Sequence, residues 1–210
     1  MKRRAFLIIA MLLSAFSQRS QTACAVVETL SFYNLTGTNA INAAAGENQL
    51  FADVSDSAGQ VTFTFRNIGP ALSSISEIYF DDGSLLAISE ILDSPPDVDF
   101  KLDANPSNLP GSQLSDPPFQ ASLCFSLQPE NPEPFHGVNP GEQLSIIFDL
   151  INEQTFTDVI DEINTGELRI GIHVIAFENG GSESFVNTPE PTSIVFLSLG
   201  VMAIVRRRKK

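Results

Sequence analysis

The chain has 210 residues and a formal net charge of −13, enough for one domain or two small ones. From Val26 to Thr188 it carries three cations, Arg66, Lys101 and Arg169, against twenty-four acids, a formal −21; the remaining cations lie in residues 1–25 and 206–210. Nucleic acid and anionic lipid are bound through Lys and Arg, so a body of this charge excludes both as partners and stays soluble.

Lys2-Arg3-Arg4, the apolar stretch from Ala5 to Phe16 and the polar Ser17 to Thr22 lead to Ala23-Cys24-Ala25. This is the order of a positive n-region, an h-region and a small-x-small cleavage site, so residues 1–25 read as a signal peptide cut after Ala25, with Ala23 and Ala25 as the small residues. The stretch is too short to span a bilayer comfortably. A lipidated Cys24 is disfavoured by Gln21 and Arg19, which interrupt the apolar approach such a site needs. Losing Cys24 with the signal leaves Cys124 alone, read as a small buried hydrophobe rather than a catalytic thiol.

The body alternates with strand period. Leu30 to Leu35 has apolar residues at every second position, and Gly37 closes it. Residues 38–49, rich in Asn, Ala and Gly, read as a loop with at most one helical turn over Ile41–Ala45. Gln60 to Ile68 puts Val61, Phe63 and Phe65 on one face and Thr62, Thr64 and Arg66 on the other. Ser76 to Phe80 and Leu85 to Ile91 read as a hairpin around Asp81-Asp82-Gly83-Ser84, where Asp-Gly suits the positive φ of a tight turn. Asp93 to Pro118, with its many prolines, reads as a long irregular connection containing one strand-like piece, Val98–Leu102. A strand over Ser122–Leu127 points Leu123, Phe125 and Leu127 one way and Cys124 the other. A second Pro-rich loop, Gln128 to Pro140, precedes a strand over Leu144–Leu150. Phe156, Val159, Ile160 and Ile163 fall at helical spacing, giving a short amphipathic helix capped by Thr157 and ended by Gly166. Leu168 to Phe177 is the longest strand, and Gly180 to Ser184 leads out to the tail.

Short strands, Gly/Pro turns and little helix predict an all-β fold: a two-layer antiparallel β-sandwich, jelly-roll-like, over residues 26–187. An N-terminal signal-peptide helix and a C-terminal transmembrane helix flank it. The chemistry search is negative for a nucleophile elbow, a P-loop and a dinucleotide fingerprint, so no enzyme is expected. His136 and His173 are too few for a zinc site unless carboxylates complete it, and His173 is read as a surface or otherwise satisfied histidine. No cofactor is required; Asp81, Asp82, Asp97 and Asp99 are the candidate calcium ligands, on Asp-rich loops of the kind calcium prefers. A glycosidase pair of carboxylates is a weaker alternative, because the chain has no Trp to stack a sugar.

Pro189-Glu190-Pro191 is a rigid, extended triplet. Thr192 to Val205 follow without a charge, then Arg206-Arg207-Arg208-Lys209-Lys210. At 1.5 Å per residue those fourteen residues reach about 21 Å against a hydrocarbon core of about 30 Å. Together residues 188–210 resemble the PEP-CTERM sorting domain of exported bacterial proteins. The resemblance implies recognition of Pro189, Glu190 and Pro191 by an exosortase, a membrane protease, with Arg206, Arg207 and Arg208 as the stop signal. It further implies anchoring in the membrane through the C-terminal helix before processing, then a cell-surface or extracellular location and a link to extracellular polysaccharide and biofilm. The leading expectation is therefore a non-enzymatic surface or matrix protein. The alternatives are a polysaccharide- or calcium-binding module acting through loops 93–118 and 128–140, and an extracellular hydrolase.

Overall fold

The computed structural model describes residues 27–57, 59–81, 86–93, 97–122 and 125–187. Along the chain these form β1 (Val27–Asn34), α1 (Ala40–Gln49), β2 (Leu50–Ser57), β3 (Gln60–Asn67), β4 (Ser74–Asp81), β5 (Leu86–Leu92) and β6 (Phe100–Leu102). Then come β7 (Ser126–Pro129), α2 (Glu133–His136), β8 (Gln143–Leu150), α3 (Phe156–Thr165), β9 (Arg169–Ile175) and β10 (Glu183–Asn187).

All pairings among the described strands are antiparallel, in the order β5-β8-β3-β2-β1-β10-β9-β4-β7-β6. The expected all-β, two-layer architecture is present, but its layers belong to one continuous sheet. β1 makes the corner: Val27–Ser31 pair with β2, while Phe32–Asn34 pair with β10. A strand that changes partners midway lets a sheet fold over on itself. The layers meet at Phe80 of β4, whose ring lies 5.3 Å from Phe63 of β3 and 4.8 Å from Phe148 of β8, edge to face. Val61, Phe63, Phe65, Leu144, Ile146 and Phe148 from one layer and Ile78, Ile170, Ile172 and Phe185 from the other fill this core. A smaller cluster of Tyr79, Ala104, Leu109, Phe119 and Val186 lies under the 103–121 segment.

The alternating segments become β3, β8 and β9; burial follows the pleat in β3 and β8, while in β9 Gly171 is buried along with Ile170 and Ile172. Other segments differ. Residues 38–49 are not a loop: α1 runs from Ala40 to Gln49, capped by Asn39, whose side chain accepts from the Ile41 and Asn42 N–H groups. The inward face of this helix is polar, Asn42, Gly46 and Gln49, so no apolar stripe announces it. Gln49 Nε2 donates to Asn67 Oδ1, Ala71 O and Ser73 Oγ, and Asn42 Nδ2 to Gly180 O. Gly46 is required there, since an added Cβ would lie 2.1 Å from the Phe185 ring.

The 76–91 hairpin does not form. β4 is flanked by β9 and β7, whereas β5 pairs with β8 in the other layer. α3 is capped by Thr155, not Thr157: the Thr155 side chain accepts from the Asp158 N–H and the Asp158 carboxylate accepts from the Thr155 N–H, a reciprocal box. β2 is unanticipated, as is β10, which begins at Glu183 inside the Gly180–Ser184 stretch expected to lead out to the tail. β7 starts at Ser126, after the Ser122–Leu127 stretch has nearly ended, and β6 starts at Phe100 rather than Val98. Cys124 lies outside the described residues.

Strand direction defines two poles. Because β1 and β10 are antiparallel, the start of β1 and the end of β10 point the same way. That pole also carries the end of β2, the start of β3, the end of β4, the start of β5, and α3. α1, the link from β3 to β4, and α2 occupy the opposite pole.

Candidate functional site

The tail leaves from Asn187, and the fold grips that point. β10 lies between β1 and β9 and every one of its residues is buried. Asn187 is 2 % exposed, and its Oδ1 accepts from the Ile170 N–H at 2.7 Å. At the other end of β10, the Glu183 carboxylate accepts from the Thr36 hydroxyl, Asn34 Nδ2 (3.1 Å) and the N–H groups of Thr38 (3.1 Å) and Asn39. Burial alone would raise its pKa, but these four donors outweigh it and hold the carboxyl below its ordinary range. A cavity of about 270 Å³ opens beside the exit, lined among others by Tyr33, Asp116, Thr165, Arg169 and Asn187.

The start of the first Pro-rich loop meets the second at the opposite pole, while its later part, around Asp116, lies beside the tail exit. Asp99 N–H donates to His136 O at 3.1 Å, Glu130 N–H to Asp99 O at 2.9 Å, and His136 Nδ1 lies 3.0 Å from Asp97 O. They frame a groove of about 440 Å³ lined by Leu72, Asp97, Phe135, His136, Asn139 and Glu142, with others. Phe135, 70 % exposed, and Leu72, 58 % exposed, give it apolar flanks. Glu142 accepts from the Asn139 N–H and, with Asp97, makes the groove acidic.

All three cations of the body are spent within it. Arg66 pairs with Asp53 at 2.7 Å, Lys101 with Glu130 at 2.8 Å, and Arg169 with Asp81. Among the described residues, therefore, no Lys or Arg is left unpaired for an anionic ligand. Asp81 is bound by Arg169 and by the Gln120 N–H, away from the surroundings of Asp97 and Asp99. Among the described residues no three His, Cys, Asp or Glu side chains group to hold a metal ion. Asp82, Ala23, Ala25, Pro189, Glu190, Pro191, Arg206, Arg207 and Arg208 lie outside the described residues.

No sequence motif marks the polar row across β4, β9 and β10, in which Glu77 and Ser184 both stand opposite His173. His173 Nδ1 is 3.1 Å from Ser184 Oγ, so this histidine is a satisfied one. Burial lowers its pKa against the opposing pull of the Glu183 charge. Burial also raises Glu77 to about 7, with the Ser76 hydroxyl bond pulling it down and the Glu133 charge adding to the rise. Serine, histidine and glutamate in a row are the parts of a nucleophilic triad, but Ser184 has no exposed surface. A substrate cannot reach it. Glu77 joins this row only through the pairing of β4 with the distant β9, so no local pattern could have signalled it.

Among the described residues no helix is long and apolar enough to cross a membrane; the run from 192 to 205 is not among them. No curated protein and no solved structure matches the chain. Residues 187–209 match the family model of the PEP-CTERM protein-sorting motif, and the match begins on the last residue of β10. The chain is thus an exported protein that carries a PEP-CTERM protein-sorting motif at its C-terminus, the mark by which an exosortase sorts it to the surface.

Proposed function

We propose that this is a non-enzymatic cell-surface or extracellular-matrix protein. An acidic β-sandwich is delivered by its tail, held in the membrane through the apolar run, released by exosortase processing and associated with extracellular polysaccharide. The observation that carries this reading is the sorting motif set directly on the end of β10. The buried Glu77–His173–Ser184 row supports a non-catalytic body, since its one carboxyl with a near-neutral pKa is 6 % exposed. Deleting residues 188–210 should abolish surface delivery and the C-terminal part of the mass loss on maturation, leaving only the loss of the signal peptide. An unchanged location and mass would refute the reading.

The groove at the far pole favours a second reading, a glycan-binding module. Phe135 offers an aromatic face to the C–H face of a sugar, and Asp97, Asn139 and Glu142 offer partners for hydroxyls. With every cation paired inside the fold, the ligand class is an uncharged or amino-bearing glycan; an anionic one would need a bridging divalent cation such as calcium. Calorimetry of residues 26–187 with neutral, amino and anionic glycans, the last with and without Ca²⁺, tests this. Heat that disappears in Phe135→Ala supports it, and no heat in any arm refutes it.

A further inference from the structure

We infer that the pole from which the tail leaves is a docking surface for the exosortase, so that recognition of this substrate extends beyond the Pro-Glu-Pro triplet into the folded domain. The inference rests on the sorting reading above and deepens it.

The first argument is length. Asn187 is a buried member of the sheet, and only Thr188 separates it from Pro189. A fully extended residue spans at most about 3.6 Å, so Glu190 lies within about 11 Å of Asn187 however the segment runs. The strand has no slack to lend. β10 is paired on both sides, and Phe185 and Val186 sit in the two apolar clusters. Glu183 holds its far end through four hydrogen bonds. A protease large enough to enclose the triplet must therefore meet the surface around Asn187.

The second argument is the chemistry of that surface. The 270 Å³ cavity beside Asn187 is lined by the exposed Asp116 and by Thr165, the exposed last residue of α3. Asn187 lines it and its buried Nδ2 has no hydrogen-bond partner among the described residues. A buried donor left unpaired is costly, and an acceptor on a docking partner would satisfy it. Arg169, although it lines the cavity, is committed to Asp81, Ser115 and the carbonyls of Pro117 and Pro118. The groups left for a partner are a donor at Asn187 and a carboxylate at Asp116. They fit a loop of the protease that presents a carbonyl and a basic side chain. The start of β1 points to the same pole, so both ends of the body leave on the side facing this partner while the Phe135 groove opens on the other.

The test is a pulse-chase of the full chain in cells that contain the exosortase, following precursor and mature forms. Asp116→Arg and Thr165→Trp, both at exposed positions, should slow conversion at least five-fold. A ten-residue Gly/Ser insert between Asn187 and Thr188 should bring either variant back to within two-fold of the unsubstituted chain. Resistance of each variant to limited proteolysis confirms that the domain is folded. Unchanged conversion in both substituted chains overturns the inference. Glu190→Ala is the control: its loss of conversion upholds the sorting reading independently, whereas its normal conversion overturns that reading and this inference with it.

Discussion

Replacing Glu183 by Ala should be among the most damaging single changes in the domain. The carboxylate accepts from the Thr36 hydroxyl, Asn34 Nδ2 and the N–H groups of Thr38 and Asn39, and thereby shapes the turn that launches α1. A hydrogen bond to a charged group contributes about 1.5–3 kcal/mol, and removing the shared acceptor leaves its donors to find water. The four do not add, because the turn residues lie at the surface and water can enter. A loss of about 3–4 kcal/mol is expected, a fall in Tm of roughly 8–14 °C for a domain of this size. Urea and thermal unfolding of Glu183→Ala and Glu183→Gln measure it, with Gln intermediate because it keeps one acceptor oxygen. The pH dependence has a definite sign. The folded-state pKa is lowered, so the stabilisation is complete above the ordinary glutamate value of 4.5 and is lost as pH falls through the folded value. The gap between wild type and Gln should therefore narrow in acid. A Glu183→Ala protein within 0.5 kcal/mol (about the error of the method) of wild type at neutral pH would refute this account of the turn.

Three further predictions concern the interior. Glu77 behaves oppositely to Glu183: its pKa is raised from 4.5 to about 7, so its folded form is favoured below pH 4.5 and loses stability as pH rises through 7. Glu77→Gln should flatten that decline and be more stable than wild type by about 2 kcal/mol above pH 8, read by urea midpoints across pH. Phe80→Ala removes the ring at which the layers meet and should cost about 3–5 kcal/mol in chemical denaturation. Gly46→Ala would gain helix propensity at most sites, but here the new methyl meets the Phe185 ring and should destabilise by about 1–3 kcal/mol. Greater stability in the Ala variant by thermal scanning would contradict this account of Gly46.

What could be read before folding was whatever is local and periodic. Val61-Phe63-Phe65 and Leu144-Ile146-Phe148 announce β3 and β8 because one face of each meets only apolar neighbours. Gly166 ends α3 in a left-handed conformation as its position suggested. The tail is legible for the same reason, since triplet, apolar run and basic end are contiguous. Asp82-Gly83, by contrast, is sound hairpin chemistry that tertiary pairing overrides, because β9 and β7 already occupy both edges of β4. α1 escaped notice because Asn42 and Gln49, not Leu or Val, face inward to satisfy backbone groups of other elements. β10 lacks a strand signature because Glu183, Ser184 and Asn187 are polar, yet each is buried by a partner on another element, Thr36, His173 and Ile170. The groove at Phe135 was foreshadowed only as two Pro-rich loops; their convergence depends on the pairing of β6 with β7.

The central claim is that this acidic domain is a sorted cargo whose tail is read at the edge of its fold. Intact-mass measurement of the mature protein from cells with and without the exosortase tests it most directly. The account predicts a chain that begins after Ala25 in both cases and that loses its C-terminal apolar and basic residues only when the exosortase is present. An identical C-terminus in the two cells would contradict it.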